Sequence, residues 1–289
     1  MKRPDYVTEE RLKHFISEAF KEDIGDGDHS TLGSVPADLM DDAQLIVKED
    51  CVLAGIELAK EIFHFFDPHL EVETLLNDGD EAKVGDIAFR VRGSARSILT
   101  SERLVLNCMQ RMSGIATLAR EMVRKVEGTD VKILDTRKTT PNFRMCEKWA
   151  VAIGGAHNHR YGLYDMVMLK DNHNDYAGGI TKSVKSVKNY LEQIGKSLKI
   201  EVETRNLDEV REALSTGSVD IIMLDNMNLE EMREAVKIIG DQCETEASGG
   251  ITIETIRAVA ETGVNYISSG AIIHSAPNKD LSLKAIDSN

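Results

Sequence analysis

The second half of the chain repeats one pattern, and that pattern leaves few folds open. Short apolar runs end abruptly in polar residues: VKIL before Asp135, MVML before Lys170, KIEVE at Glu203, DIIML before Asp225 and NYIS before Ser269. A weaker run, CETEA, leads into Ser248-Gly249-Gly250. Runs this short and apolar predict strands buried on both faces. Amphipathic helices separate them. Asn206 and Asn228 stand where N-caps belong, each followed three residues later by a glutamate (Glu209, Glu231), and Gly217, Gly240 and Gly263 stand where the helices should end. The last units recur at roughly 20–24 residues, which suits successive βα units of a parallel sheet. The architecture this implies is an (α/β) barrel, incompletely closed, with every strand's C-terminal end on one face.

That face collects Arg137, Lys138, Lys170, Glu203, Asp225, Ser248 and Ser269. Charge singles out the same region. The chain as a whole carries −14, yet residues 135–173 hold six Lys or Arg against four Asp or Glu, together with three of the eight histidines. Cations gathered beside glycines in an acidic chain predict a pocket for an anionic small molecule. The acidic remainder argues against a nucleic-acid partner, and no segment is long and apolar enough to span a bilayer. The four scattered cysteines, without a CxxC pair, read as reduced thiols of a cytoplasmic protein.

The first half is different. AQLIVKE, CVLAGI, LEVETLL and IAFRVRG read as strands of an antiparallel or mixed sheet, and IELAKEIFHFF as a helix. Asn77-Asp78-Gly79-Asp80 is a turn signal. A long helical pattern runs from about Ser94 to Val126, with a break expected near Ser113-Gly114. The domain expectation is therefore an N-terminal α/β sandwich-like domain over 1–112, rejoined by 275–289, and a barrel domain over 113–274.

Each constellation has an ordinary reading beside its chemical one. Thr136-Arg137-Lys138 follows a strand, where Arg offers a planar fork and Lys a point charge to an anion; charged surface loops are also common. His157 and His159 form a His-x-His without a third ligand of suitable spacing, so zinc is disfavoured. Gly154-Gly155 reads as a helix terminator that lets backbone approach the pocket. Lys170, at a strand end, suits either an anion contact or a Schiff base. Glu203 and Asp225 suit Mg²⁺ on a pyrophosphate or the hydroxyls of a sugar. Ser248-Gly249-Gly250 and Ser269-Gly270, at adjacent strand ends, suit a phosphate cradle.

In order, DTRKTTP, GGAHNHRYGLYDMVMLKDNH, EVE, MLDNM, ASGGIT and ISSGA resemble the motifs of quinolinate phosphoribosyltransferases, the decarboxylating enzymes of NAD biosynthesis. SERLVLNCMQRMSGIAT and EDIGDGDHST extend the resemblance over nearly the whole chain. It departs at Ala156, where the family pattern has a third glycine, and in a Glu203-to-Asp225 spacing one residue longer than in some relatives.

The resemblance implies transfer of the phosphoribosyl group of 5-phosphoribosyl 1-pyrophosphate to quinolinate with decarboxylation, and a requirement for Mg²⁺. It implies that Arg137, His159, Arg160 and Lys170 line the dicarboxylate site, with Arg103 reaching it from the neighbouring subunit of a homodimer or higher oligomer. Lys138, Glu203, Asp225 and the glycine loops (Ser248, Gly249, Gly250, Ser269, Gly270) would hold the donor, with Thr136 beside them. Lys138, Lys170, Glu203 and Asp225 would carry the catalysis, and Glu203 and Asp225 would hold the metal. The alternatives are a related transferase with another aromatic acid acceptor, a Schiff-base lyase using Lys170, and a non-catalytic binder of phosphorylated sugars.

Overall fold

The six runs that end in polar residues are all strands, and they lie side by side in one parallel sheet. The computed structural model describes residues 3–286. Along the chain, α1 (Glu9–Ile24) and α2 (His29–Ser34) precede β1 (Met40–Val47), β2 (Cys51–Val52), α3 (Ile56–Phe66), β3 (Glu71–Thr74), β4 (Glu81–Ala82), β5 (Ile87–Ser94) and α4 (Ala95–Lys125). Then come β6 (Lys132–Leu134), α5 (Arg144–Ile153), β7 (Val167–Leu169), α6 (Asp171–Ala177), α7 (Ile180–Gln193), β8 (Ile200–Thr204), α8 (Leu207–Ser215) and β9 (Ile221–Asp225). The chain continues through α9 (Leu229–Ile239), β10 (Glu244–Ser248), α10 (Ile256–Ala260), β11 (Tyr266–Ser268), α11 (Ala271–His274) and β12 (Leu281–Ala285).

Two compact units result. One takes in the described chain up to Arg120, Thr139–Gly155 and the chain from Ile272; the other takes in Glu121–Lys138 and Ala156–Ala271. In the first, an antiparallel sheet has the order β12-β1-β5-β3, and β2 pairs with β4. Alternation along β1 buries Ala43, Leu45 and Val47. Phe63 of α3 meets Phe89 of β5 edge-on, with ring centroids 5.8 Å apart. Asp78, from the NDGD turn, accepts the N–H groups of Gly55, Ile56 and Glu57, which satisfies the first turn of α3 where its own N-cap, Gly55, has no side chain to do so.

Two expectations need correction here. The long helix does not break at Gly114. That glycine instead admits the backbone carbonyl of Pro277, which a Cβ would overlap. The expected contiguous second domain over 113–274 also gives way, because residues 139–155 group with the first unit. The reason is a buried polar knot. Arg111 of α4 donates to Glu147 Oε1 of α5 at 3.1 and 3.0 Å, and to the carbonyls of Ala276 and Ile273. Thr140 donates its N–H and hydroxyl to the same Glu147, which is fully buried. Breaking a buried pair of this kind strands a charge, so the segment stays with α4. Gly154 likewise has a packing role, since a Cβ there would lie 2.5 Å from the Ala116 carbonyl oxygen.

The second unit's sheet has the order β6-β11-β10-β9-β8-β7. β6 and β7 lie at its two edges and do not pair, so the barrel is open; a single parallel bridge from Leu134 to His157 extends the β6 edge. All five residues of β8 are buried, as are four of five in β9. Asn228 caps α9 in a reciprocal box with Glu231, whereas Asn206 caps α8 while Glu209 turns to the Arg205 N–H. No helix among the described residues is long and apolar enough to cross a membrane.

Candidate active site

Parallel strands with helices between them put their C-terminal ends on one edge, and the second unit sets its polar residues there. At the end of β6, Asp135 is fully buried. It accepts the Asn158 side-chain amide at 2.7 Å and the His159 N–H at 2.8 Å. One carboxylate thus anchors the 157–160 loop beside Thr136, Arg137 and the exposed Lys138, whose N–H donates to Thr136 Oγ1. Arg160 donates to the Met166 carbonyl and the Met168 sulfur. Burial, then the charge of Arg137, lowers the Arg160 pKa, so the two guanidiniums share one neighbourhood.

Lys170, the first residue after β7, caps α6 and is half-exposed. Its Nζ lies 3.7 Å from Glu203 Oε2. Glu203 is largely buried, and burial raises its pKa; Lys170 opposes the rise and Asp225 adds to it. The charge of Asp225 therefore reaches Glu203. Asp225 accepts the Asn226 side-chain amide at 2.7 Å. Asn226 sits at φ +56° and donates its N–H to the Ser248 carbonyl. Gly249, at φ +95°, lies so close to the Asn226 side chain that a Cβ would collide with it. Ser269 donates its N–H to the Leu134 carbonyl, which closes the row at β6. Among the described residues the non-glycine positions with positive φ are Asn142 and Asn226 and do not include Ala156, so its methyl meets no backbone penalty. Arg103 stands in the first unit, exposed on α4.

Two residues that sequence reasoning missed lie beneath this row. Glu201 and Glu246 are fully buried, and His159 Nε2 lies 3.1 Å from an oxygen of each. Its hydrogen bond goes to Glu246. Period-two alternation was the available signal: Glu201 shares a strand face with Glu203 in IEVET, and Glu246 shares one with Ser248 in ETEAS. His159, Glu201 and Glu246 are the one group of three metal-competent residues among the described residues. Burial raises Glu201 to about 7 despite its contact with His159. Burial would lower His159, but Glu201 and Glu246 outweigh it and lift the imidazole to about 10. The Arg160 N–H lies 2.7 Å from His159 Nδ1.

Family models match the chain as the N-terminal domain of quinolinate phosphoribosyl transferase over residues 28–113 and as its C-terminal domain over 115–284. The chain belongs to the quinolinate phosphoribosyltransferase family. Among relatives, a Nicotiana tabacum protein named quinolinate phosphoribosyltransferase [decarboxylating] 2b, mitochondrial, is 47% identical, over 94% of this chain and 82% of its own. A probable nicotinate-nucleotide pyrophosphorylase [carboxylating] of Bacillus subtilis is 41% identical, over 96% and 95%. Among solved structures, the nicotinate-nucleotide pyrophosphorylase of Francisella tularensis superposes with a TM-score of 0.90 at 36% identity, covering 99% of this chain and 100% of that one. Quinolinate phosphoribosyltransferase relatives thus match both units.

Proposed function

We propose that this chain transfers the phosphoribosyl group of 5-phosphoribosyl 1-pyrophosphate to quinolinate, giving nicotinate mononucleotide, pyrophosphate and CO₂ in de novo NAD synthesis. The observation that carries the reading is the row of strand-end charges. Two guanidiniums (Arg137, Arg160) share one neighbourhood, and Lys170 lies 3.7 Å from a carboxylate, Glu203, that itself feels Asp225. A doubly anionic acceptor and a highly charged donor call for cations, and a sugar that gains positive charge calls for carboxylates. In this reading Arg137, Arg160 and Lys170 take the two quinolinate carboxylates. Lys138, Thr136, Ser248 and the backbone N–H groups of Gly249, Gly250 and Gly270 take the donor's phosphates, with Ser269 beside them.

The reaction follows from that placement. The C1′–O bond to pyrophosphate breaks with its electron pair leaving on pyrophosphate, and the pyridine nitrogen supplies the pair for the new N–C1′ bond. Glu203 and Asp225 face the charge that develops on the ribose. The C2–carboxylate bond then breaks, CO₂ leaves, and the electron pair remaining at C2, stabilised by the ribosylated nitrogen, takes up a proton. Glu203 and Asp225 also fit Mg²⁺, a hard cation that takes one or two carboxylates together with substrate phosphates. When bound, the metal supplies charge neutralisation for the leaving pyrophosphate. A Schiff base at Lys170 is disfavoured because Lys170 is half-exposed and beside a carboxylate, whereas such a lysine has to be neutral.

The reading includes a homodimer in which Arg103 serves the partner's site, and a cytoplasmic location consistent with four free thiols. Variants separate the assignments. Arg137→Ala should raise the KM for quinolinate and Lys138→Ala the KM for the donor, each by on the order of 10- to 100-fold. Equal effects on both substrates would refute the division. Mixing Arg103→Ala with Lys138→Ala protein should restore about a quarter of wild-type activity through mixed dimers. No recovery after subunit exchange would place Arg103 outside the partner's site.

A further inference from the structure

We infer that Asn226 is a positioning residue of the proposed donor site: it fastens the Asp225 carboxylate and the Ser248-Gly249-Gly250 turn to one another, so that two strand ends meet the donor as one piece. The inference deepens the functional reading above and rests on it only for the identity of the ligand.

The backbone supplies the first half of the basis. Asp225 and Ser248 face each other as the last paired residues of β9 and β10. Asn226 carries that pairing one step further, donating its N–H to the Ser248 carbonyl at 2.9 Å. There it turns to φ +56°. Glycine enters this left-handed region without steric cost, and asparagine and aspartate are the side chains that enter it most readily. The residues that follow hold the turn in place: Met227 is buried, and Asn228 caps α9 in its box with Glu231. A conformation determined from both sides persists despite its cost.

The side chain supplies the second half. A glycine would meet the backbone's need at lower cost, so the asparagine amide calls for a reason of its own. Its nitrogen donates to Asp225 Oδ2 at 2.7 Å. Its oxygen faces Gly249, where a Cβ would overlap it. One planar amide thus touches both strand ends, with a hydrogen bond on one side and a steric stop on the other. Engaging Oδ2 fixes the plane of the carboxylate and commits Oδ1 to a ligand. The turn packed against the amide carries the N–H groups proposed for the donor's phosphates. Binding groups set in place beforehand lose less freedom when a ligand arrives. The hydrogen bond is open to solvent, which keeps its effect modest.

Two double-mutant cycles on the whole protein test the inference. The first reads the donor's dissociation constant by calorimetry, with Mg²⁺ and no acceptor. Asn226→Gly keeps the left-handed turn and its N–H but removes the amide, and should weaken binding by about 5- to 10-fold. In the Asp225→Ala background, where the amide has no carboxylate to hold, the same change should act by less than about threefold. The quinolinate KM of Asn226→Gly should stay within about twofold, which a general loosening of the sheet edge would not allow. Equal factors in the two backgrounds would make Asn226 a donor contact in its own right, and no weakening in either would leave it without a part in the site; each overturns the inference.

The second cycle reads the melting temperature and needs no ligand. Gly249→Ala should cost the Asn226→Gly protein about half the degrees it costs the wild type, because the side chain it meets has gone while the backbone contact and the positive φ remain. The same loss in both would show that the two residues do not press on each other, and the inference would fall. A wild-type protein that binds no donor would refute the functional reading alone, and the second cycle would still decide whether Asn226 seats the turn.

Discussion

Gly249→Ala puts the geometry of the proposed donor site under direct strain, and its size can be worked out. The residue sits at φ +95°, where an L side chain costs of order 1–3 kcal/mol. The added Cβ would also lie 2.6 Å from Asn226 Cγ and 2.9 Å from the Asn226 backbone nitrogen. Contacts under 3.0 Å to backbone cannot be relieved by a side-chain rotation, and overpacking of this kind costs about 1–3 kcal/mol more. The total is about 2–6 kcal/mol, and it falls on the residue whose amide holds Asp225.

Two escapes are open. Either the unit loses stability, or Asn226 moves and Asp225 with it. Since about 1.4 kcal/mol is tenfold in affinity, about 1.4–2.8 kcal/mol of that strain passed on to Asp225 should raise the donor's KM by on the order of 10- to 100-fold. Gly250→Ala is the internal control. It sits at φ +62° with nothing within 4 Å of the place its methyl would take, so it should cost only about 1–2 kcal/mol. Thermal unfolding and steady-state kinetics with the donor varied give both readouts. Gly249→Ala within experimental error of Gly250→Ala in both would refute the reasoning.

Three further outcomes follow. Glu201, raised from 4.5 to about 7, takes up a proton on folding, so the native state binds more protons between those values and stability falls as pH rises through that window. Glu201→Gln should flatten the decline by on the order of 3 kcal/mol, and parallel melting-temperature profiles over about pH 4.5–8 would count against it. Glu147→Gln keeps the shape of the buried knot but leaves Arg111 poorly paired, so chemical denaturation should report a loss of about 3–5 kcal/mol; a loss below about 1 kcal/mol would show that the Arg111 charge is solvated elsewhere. Asn228→Ala removes the α9 cap and should lower stability by about 1 kcal/mol in the same assay, while an unchanged midpoint would mean the box carries no weight.

The strands were legible because a buried parallel strand is a nearly uninterrupted apolar run, and such runs stop where the polar edge begins. Lys170, Glu203 and Asp225 were legible for the same reason. Helix α3 matched because IELAKEIFHFF is periodic and bounded by Gly55 and Asp67. What escaped depends on partners distant in sequence. Gly114 looked like a break because its local propensity is poor, yet it answers to Pro277, on which no local pattern reports. Segment 139–155 looked like part of the βα series, but Glu147 has its partner on α4. Glu201 and Glu246 were hidden inside strands, where charged residues are read as solvent-facing until a buried histidine is found between them. His159 was placed at the substrate by resemblance, and its contacts with Glu201 and Glu246 were not legible because both partners lie on strands distant in sequence.

The most direct measurement is a product assay on the purified protein with 5-phosphoribosyl 1-pyrophosphate and Mg²⁺, offering quinolinate and nicotinate in separate reactions. The account predicts nicotinate mononucleotide and CO₂ in equal amounts from quinolinate, and no nucleotide from nicotinate. Nucleotide formed from nicotinate, or quinolinate left unconsumed, would contradict it.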